Sequence, residues 1–184
     1  MMVLGIDEVG RGSLAGPLVV GAVALNRKII GLKDSKLLSR SQREIFAEII
    51  KTEANFIGLG WVNVEEIDQL GLTRSLTLGA KRALQQLNIN FDSMILDGSY
   101  NYIKGYPNCQ TLPKADRLVP AVSAASIIAK VARDNYMIEL AKDFPLYMFD
   151  SHVGYGTSNH IKAIRKYGAS IHHRKTFEPI KSML

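Results

Sequence analysis

Cysteine is almost absent from this sequence, since Cys109 is the only one among 184 residues. A single thiol forms no disulfide within the chain and supplies no thiolate-based zinc site. Long apolar runs are absent too. The longest, residues 14–25, is interrupted by glycine and proline, whereas a membrane span needs about 20 residues. The first residues reach acidic side chains before a secretory signal could develop. We therefore expect a cytoplasmic protein with no membrane segment.

Acidic residues are also in short supply. The chain has 17 Asp and Glu against 23 Lys and Arg, which gives a formal charge of +6 and a pI near 9.4. Excess positive charge favours polyanionic partners through counterion release, although many basic proteins bind no nucleic acid specifically. With 47% hydrophobic residues, this length suits one domain spanning residues 1–184.

Short apolar runs alternate with amphipathic segments along the chain. The pattern predicts strands at residues 3–6, 18–25, 55–63 and 94–96, and helices at residues 39–53, 73–87, 122–142 and 158–167. The first helix carries a capping signal, because Ser39 precedes Gln42 by three positions. Strands that alternate with helices predict one α/β layered structure, and the chain has no internal repeat.

Three carboxylates follow apolar runs at the expected ends of strands. Asp7 and Glu8 follow the first run, and Asp97 follows the run at 94–96. Strand ends are the usual place for ligand sites in open α/β sheets. If the strands are neighbours, the clustered carboxylates need cations to offset their repulsion, or one of them keeps a proton. Hard oxygen ligands select Mg²⁺ or Mn²⁺, and paired metals support phosphodiester hydrolysis.

The adjacency of Asp7 and Glu8 raises a geometric difficulty. Successive side chains of a regular strand point to opposite faces, so both converge on one site only if the strand end is distorted. The glycines beyond them could bend the chain there. The alternative is that each carboxylate is a solvated loop acid or a helix cap, which is the commoner state of a single aspartate.

A glycine-rich turn, Gly10-Arg11-Gly12, follows the acidic pair. Glycines remove steric bulk and expose N–H donors, so this turn could bring the backbone close to a nucleotide. It could equally be a tight reversal with a surface arginine. The spacing G-x-G-x-x-x-G departs from the dinucleotide fingerprint, and the chain has no Walker-type Gly-Lys pair. NAD-binding and ATPase functions are therefore set aside.

Taken together, these segments resemble the ribonuclease HII (type 2 ribonuclease H) family over nearly the whole chain. The matching stretches are GIDEVGRGSLAGPLV (5–19), LKDSKLLS (32–39), ILDGS (95–99), KADRLVPAVSAASIIAKVARD (114–134), HVGYGTSNH (152–160) and YGASIHHRKTFEPIK (167–181). Several separated motifs in the right order are far more specific than any one of them. The resemblance implies an RNase H-like α/β fold, in which α-helices flank a mixed central β-sheet and a C-terminal helical part follows.

The resemblance also implies a metal-dependent endoribonuclease, with Mg²⁺ or Mn²⁺ as cofactor. Its substrates would be RNA–DNA hybrids and duplex DNA that contains single ribonucleotides, cut 5′ of the ribonucleotide to leave 5′-phosphate and 3′-hydroxyl ends. Asp7, Glu8 and Asp97 match the family's metal-binding carboxylates, and Asp116 matches its fourth catalytic acid. Asp134 is also acidic in the family's pattern, but Lys130, four residues earlier, offers it a local ion pair.

Substrate contacts are implied at further matched positions. Gly10-Arg11-Gly12 matches the loop that recognises the ribose 2′-hydroxyl, the group that distinguishes RNA from DNA. Tyr155 matches a tyrosine at the ribonucleotide–deoxyribonucleotide junction; without the family context it would be taken as a buried aromatic. Lys36 and Arg174 are candidate contacts to backbone phosphates, with a solvated surface charge as the alternative for each.

Two positions depart from the family's pattern. Ser13 stands where many relatives carry proline, and Val153 stands where a lysine is common, which bears on affinity and substrate preference more than on chemistry. The four histidines fit no zinc-binding pattern. We expect loop and helix-end positions for them, with proton transfer to the leaving group as the alternative; they are His152, His160, His172 and His173.

Two other functions stay open at this point. One is a protein that binds hybrids without cutting them, and the other is a different nuclease of the same superfold, such as a resolvase-like enzyme. The full set of matched acids favours the ribonuclease. The sequence has no heptad pattern or long exposed apolar helix that demands a partner, so we expect a monomer.

Overall fold

The computed structural model describes residues 2–27, 29–32, 38–85, 87–106 and 108–184. Within these residues, the centre is a sheet formed by strands β1 Val3–Val9, β2 Leu18–Leu25, β3 Ala54–Val62, β4 Ser93–Asp97 and β5 Cys109–Leu112. The strand order is β3-β2-β1-β4-β5. The first three strands pair antiparallel, while β4 and β5 are added in parallel to β1. The predicted mixed sheet is confirmed.

Helices cover both faces of this sheet. They are α1 Arg40–Glu53, α2 Val64–Leu84, α3 Ala115–Leu118, α4 Pro120–Asp143, α5 Phe149–His152 and α6 Ser158–Tyr167. Helix α4, with α1 beside it, packs on one face of the sheet, and α2 packs on the other. The C-terminal helical part contains α5, α6 and two short 3-10 helices, Pro145–Tyr147 and Lys181–Met183. None of the described helices has both the length and the apolar character that a membrane span needs.

Side-chain caps set two of the helix starts. Ser39 and Gln42 exchange hydrogen bonds across the first turn of α1, as predicted. Asn63 and Glu66 form the same reciprocal box before α2, so α2 begins well ahead of the predicted start at residue 73. The prediction missed this first part because Gly71, with a φ of 73°, interrupts the helical pattern.

Three short elements escaped the sequence prediction, namely β5, α3 and α5. Each has only four residues, which is too short for a periodic pattern to develop. Strand β5 forms because it pairs in parallel with β4. Tertiary contact, and not local propensity, therefore specifies these elements.

Alternation along β1 separates the two sides of the sheet. Leu4 and Ile6 are fully buried in a cluster that includes Leu76 of α2. Gly5 points to the opposite face and lies under the first turn of α4, where a Cβ would overlap the backbone of Ala121. The same alternation continues along β1, so Asp7 and Glu8 point to opposite faces of the sheet.

Helix α2 lies so close to β3 that a Cβ at Gly60 would overlap the carbonyl oxygen of Gly79. We predict that Gly60→Ala lowers the free energy of unfolding by about 1–3 kcal/mol, because overpacking forces the backbones apart. Urea denaturation measures the change. Gly12→Ala is the control, since a Cβ at Gly12 meets nothing described within 4 Å. Equal losses in the two variants would contradict the close-packing interpretation.

Candidate active site

Parallel pairing of β1 with β4 brings the first two predicted aspartates together. Ile6 pairs with Leu96, so Asp7 and Asp97 follow at the same edge of the sheet. One carboxylate oxygen of Asp97 accepts a hydrogen bond from the backbone N–H of Ala115, at 2.7 Å. This bond holds the start of α3 against β4, and Asp116 is the next residue along that helix.

Asp7, Asp97 and Asp116 form a compact group. Each offers a carboxylate oxygen, and these three oxygens lie within 4.8 Å of one another. Asp7 and Asp116 are buried, whereas Asp97 is partly exposed. The hydroxyl of Ser123, near the start of α4, donates to the carbonyl of Asp116 and so ties α3 to α4. Oxygen donors at this spacing match what a divalent cation requires.

The electrostatics of the group also fit a cation. Burial raises the pKa of Asp7 to about 8, with further contributions from the charges of Glu8 and Asp97, while a hydrogen bond from Ser126 opposes the shift. Aspartates forced this close disfavour one another's ionised forms. A divalent cation among them would reverse that balance, because it favours the carboxylate over the acid.

Glu8 lies on the other face of β1 and is not a member of the group of three. The β1–β2 pairing runs in register from Leu4 to Val9, so the distorted strand end that we expected is not formed. One carboxylate oxygen of Glu8 accepts from the Tyr102 hydroxyl at 3.0 Å, and the other accepts from Arg11 Nη1 at 3.4 Å. Burial raises the pKa of Glu8, and these two donors oppose the shift.

Tyr102 is a functional candidate that the sequence did not reveal. Its ring is buried, and its carbonyl accepts a hydrogen bond from the Thr77 hydroxyl at 2.9 Å. Burial, together with the neighbouring carboxylates, raises the pKa of Tyr102 well above its usual value of 10. The hydroxyl therefore stays protonated and can donate to Glu8 at any ordinary pH. The residue lies in the loop after β4, outside every motif quoted above.

A cleft of about 450 Å³ opens beside the aspartates and joins most of the predicted site residues. Asp7, Glu8, Gly10-Arg11-Gly12 and Tyr155 all line it. It is also lined by three residues whose role the sequence analysis did not predict, Arg43, Ser126 and Lys130. A second cleft of about 210 Å³ shares Glu8 and Arg11 with the first and reaches Asp97. The two acidic faces of β1 thus open onto neighbouring clefts.

The glycine turn is exposed at Arg11 and Gly12, while Gly10 is buried beneath them. Gly10 has a φ of 84°, and a Cβ there would overlap the side chain of Arg133. Only glycine both adopts a positive φ without strain and lacks the Cβ that would overlap Arg133. The ring of Tyr155, which also lines the cleft, has its centroid 5.5 Å from Lys130 Nζ and 5.5 Å from Arg133 Cζ. Positive charge therefore flanks the tyrosine ring.

Arg174 corrects the sequence-based expectation. Its side chain has no exposed surface, so it is neither a direct phosphate contact nor a solvated charge in this structure. The guanidinium donates instead to the carbonyls of Arg11 and Gly16. Burial and the nearby Arg133 lower the pKa of Arg174 to about 9, which leaves it charged at neutral pH. Lys36 lies outside the described residues.

Asp134 forms the local ion pair with Lys130 that its spacing on the helix indicated. Its carboxylate accepts from Lys130 Nζ at 2.9 Å, along one face of α4. Lys130 lines the cleft, so the ion pair joins Asp134 to a residue of the cleft wall. Its predicted local pairing is confirmed.

Two of the histidines form a buried hydrogen-bonded chain. The backbone N–H of Ser170 donates to Nδ1 of His173 at 2.9 Å, so the proton of that ring is on Nε2. This Nε2–H lies 3.0 Å from Nε2 of His160 and donates to it, and Nδ1–H of His160 donates to the Tyr155 carbonyl at 2.9 Å. The chain fixes both tautomers and ends at the backbone of Tyr155.

The remaining two histidines flank this chain. His152, at the end of α5, stacks on His160 with ring centroids 4.2 Å apart. Its ring nitrogens bond the Tyr147 carbonyl and the N–H of Gly154. His172 makes an edge contact with Phe144. Both ring nitrogens of His152, His160 and His173 have protein partners, and none of the three is among the described residues that line the two clefts beside the aspartates.

Comparison with known proteins decides the family. The family model of Ribonuclease HII matches residues 4–179. The chain belongs to the ribonuclease HII family. A relative named ribonuclease HII from Coxiella burnetii (strain Dugway 5J108-111) is 43% identical over 185 residues, which cover 100% of this chain and 91% of that protein.

Solved structures agree with the ribonuclease HII assignment. The crystal structure of ribonuclease H2 from Pyrococcus horikoshii OT3 matches with a TM-score of 0.82 and 28% identity, covering 100% of this chain and 97% of that one. RNase HII in the PCNA:RNase HII complex from Archaeoglobus fulgidus matches with a TM-score of 0.81 and 25% identity, over 97% and 96% of the two chains. The protein is thus a hydrolytic endoribonuclease that degrades RNA in RNA–DNA hybrids, and the binding-only alternative is set aside.

We predict that Mn²⁺ binding releases protons near neutral pH. Burial keeps the pKa of Asp7 at about 8 in the metal-free protein, and a bound cation favours the carboxylate. Affinity should therefore rise with pH between 6 and 8, by up to about tenfold per unit for each displaced proton. Calorimetric titration in two buffers of different ionisation enthalpy measures the release. Asp7→Asn should release fewer protons per ion, and an affinity that is independent of pH would contradict the assignment.

We also predict that acid destabilises the fold through His160 and His173. Burial lowers the pKa of each to about 4, whereas the unfolded chain titrates near 6.5. Between these values the unfolded state binds more protons, so stability falls as pH falls, by up to about 1.4 kcal/mol per pH unit for each ring. Urea denaturation at pH 7, 6 and 5 measures the slope. It should be shallower in His173→Gln and largely retained in His172→Gln, and identical slopes in wild type and His173→Gln would refute the prediction.

Proposed function

We propose that this ribonuclease cuts on the 5′ side of a ribonucleotide, both in RNA–DNA hybrids and in duplex DNA that carries a single ribonucleotide, leaving 5′-phosphate and 3′-hydroxyl ends. The observation that carries the proposal is the group of three aspartates, with oxygens within 4.8 Å, beside an open cleft. The same cleft holds the glycine turn and Tyr155. The proposed reactive centre and the proposed sugar-reading turn therefore border the same cleft.

Asp7, Asp97 and Asp116 would hold the divalent ions, with Glu8 approaching from the adjacent cleft. Carboxylate oxygens select hard cations, so Mg²⁺ or Mn²⁺ is the proposed cofactor. Such ions, when bound, activate water and stabilise the charge that develops on the leaving oxygen. Ser126 and the N–H of Glu8 orient the Asp7 carboxylate, and the N–H of Ala115 orients that of Asp97.

Gly10-Arg11-Gly12 would recognise the ribose. Gly10 turns the backbone with its φ of 84°, and the exposed Gly12 has no side chain to keep a sugar away. Backbone N–H and C=O groups that lie next to the sugar can hydrogen-bond to a 2′-hydroxyl, which is both donor and acceptor. Tyr155 would pack against the neighbouring nucleotide, since aromatic rings stack on bases and sugars of any sequence.

Phosphate contacts would come from basic side chains along the cleft. Lys130, Arg43 and Arg11 line it, and the net charge of +6 attracts a duplex from a distance. Lys36 is proposed as a further contact on the resemblance alone. The monomeric state and the cytoplasmic location remain predictions.

We predict that Asp7→Asn lowers cleavage at least about a hundredfold, because metal ions supply several kcal/mol of transition-state stabilisation. Hybrid binding should be largely retained, since Asp7 is buried and basic residues along the cleft would hold the phosphates. Cleavage is mapped on two labelled duplexes, one with a lone ribonucleotide and one with an RNA tract, with each metal in turn. Binding is measured by gel shift.

The matched control is Asp150→Asn, which removes one exposed acid from α5 and should keep wild-type turnover. Near-wild-type turnover in Asp7→Asn would remove the metal-site assignment. Equal cutting of all-DNA junctions and ribonucleotide-containing duplexes by the wild type would instead favour a resolvase-like activity.

A further inference from the structure

Two fully buried arginines lie behind the ribose-sensing turn. Arg174 donates to the Gly16 carbonyl through Nε and Nη2, at 3.1 and 2.9 Å, and to the Arg11 carbonyl through Nη1 at 3.2 Å. Arg133 donates to the carbonyls of Pro17, Ala15 and Val153, at 2.8, 3.0 and 2.8 Å. All six bonds end on backbone carbonyls, and five of them hold residues 11–17.

Within the described part of the chain, neither guanidinium forms an ion pair. Among the described residues, the salt bridges within 4.0 Å involve other cations. Burying a charge is costly unless it is paired or fully hydrogen-bonded. Carbonyl acceptors meet that need here only while residues 11–17 keep their present path. The two charges therefore strongly favour one conformation of this loop.

Arg133 also connects the loop to the segment that carries Tyr155. Its guanidinium holds the carbonyl of Val153, two residues before Tyr155, and its Cζ lies 5.5 Å from the tyrosine ring. Gly10 packs directly on the same side chain. Val153 has a φ of 44°, a strained conformation for a β-branched residue that persists only where surrounding contacts impose it. Arg133 thus lies between the turn and the tyrosine and bonds both of their segments.

We propose that Arg174 and Arg133 are positioning residues that set selectivity for ribonucleotides, by locking the Gly10-Arg11-Gly12 turn and the Tyr155 segment into one rigid unit. The inference rests on the proposed function of that turn. Neither arginine touches the substrate, because neither has exposed surface. A small shift of the turn would weaken a 2′-hydroxyl contact while leaving phosphate contacts intact, since Lys130 and Arg43 lie on other elements.

A surface aspartate offers a way to loosen this unit without disturbing the core. Asp68 of α2 accepts hydrogen bonds from the N–H groups of Lys175 and Thr176, at 2.9 and 3.1 Å, and from the Thr176 hydroxyl at 2.6 Å. It therefore anchors the two residues that follow Arg174. The backbone N–H of Arg174 is itself bonded to the Leu14 carbonyl at 2.8 Å. Removing the Asp68 carboxylate should therefore make the backbone at Arg174 more mobile, without a substitution in the core.

The experiment measures two constants. One is the KM for a duplex that contains one ribonucleotide, and the other is the inhibition constant of an all-DNA duplex of the same sequence. Both constants are independent of the fraction of enzyme that is folded, so a purely structural defect leaves their ratio unchanged. Arg174→Lys keeps the charge but loses the planar fork. It should raise the KM about fivefold or more, the effect of losing one hydrogen bond, and change the DNA inhibition constant less than about twofold.

Asp68→Ala should shift the ratio in the same direction by about twofold, and it serves as the test if Arg174→Lys fails to fold. Glu178→Ala is the matched control, because it removes an exposed acid from the same C-terminal segment, where its carboxylate accepts a hydrogen bond from Ser182; it should leave the ratio unchanged. A wild-type ratio in folded Arg174→Lys, or in Asp68→Ala, would overturn the inference. A wild-type enzyme that binds both duplexes equally would refute the proposed role of the turn itself.

Discussion

The parallel pairing of β1 with β4 is the contact on which the active site depends. Antiparallel neighbours would place Asp7 and Asp97 at opposite edges of the sheet, whereas the observed register puts them side by side. Asp97 then fixes the start of α3, and α3 delivers Asp116. The three acids are thus placed by a strand pairing, a backbone hydrogen bond and a single helical turn. Their mutual repulsion is the cost of this arrangement, and it is also the source of its affinity for cations.

Sequence reasoning recovered the parts of this molecule that depend on local pattern. Strand ends, the Ser39 cap and the Lys130–Asp134 pair follow from spacing along one element. Tyr102 could not be found this way, because it meets Glu8 only after the loop beyond β4 has folded back. The burial of Arg174 was not predicted, for a related reason. An arginine in a loop is usually solvated, and nothing local indicates that distant carbonyls will surround it.

Two sets of buried groups respond to pH in opposite directions. The raised pKa of Asp7 means that the metal-free fold loses stability as pH rises from about 4 towards 8, since the unfolded chain ionises first. The lowered pKa values of His160 and His173 mean that stability is lost as pH falls from about 6.5 towards 4. A bound cation cancels only the first effect. Metal and neutral pH therefore stabilise the same state, the one with ionised aspartates and neutral histidines.

The distribution of charge around the cleft follows from the chemistry of a phosphodiester. A group of aspartates repels the substrate that it must hydrolyse, so positive charge has to lie close by. Arg11 and Lys130 supply some of it at the surface, where salt screens it. Arg133 and Arg174 are charged in the interior behind the glycine turn, where screening by salt is weak. Because five of the six hydrogen bonds of the buried pair end on carbonyls of residues 11–17, these two charges require the loop beside the acids to keep its shape.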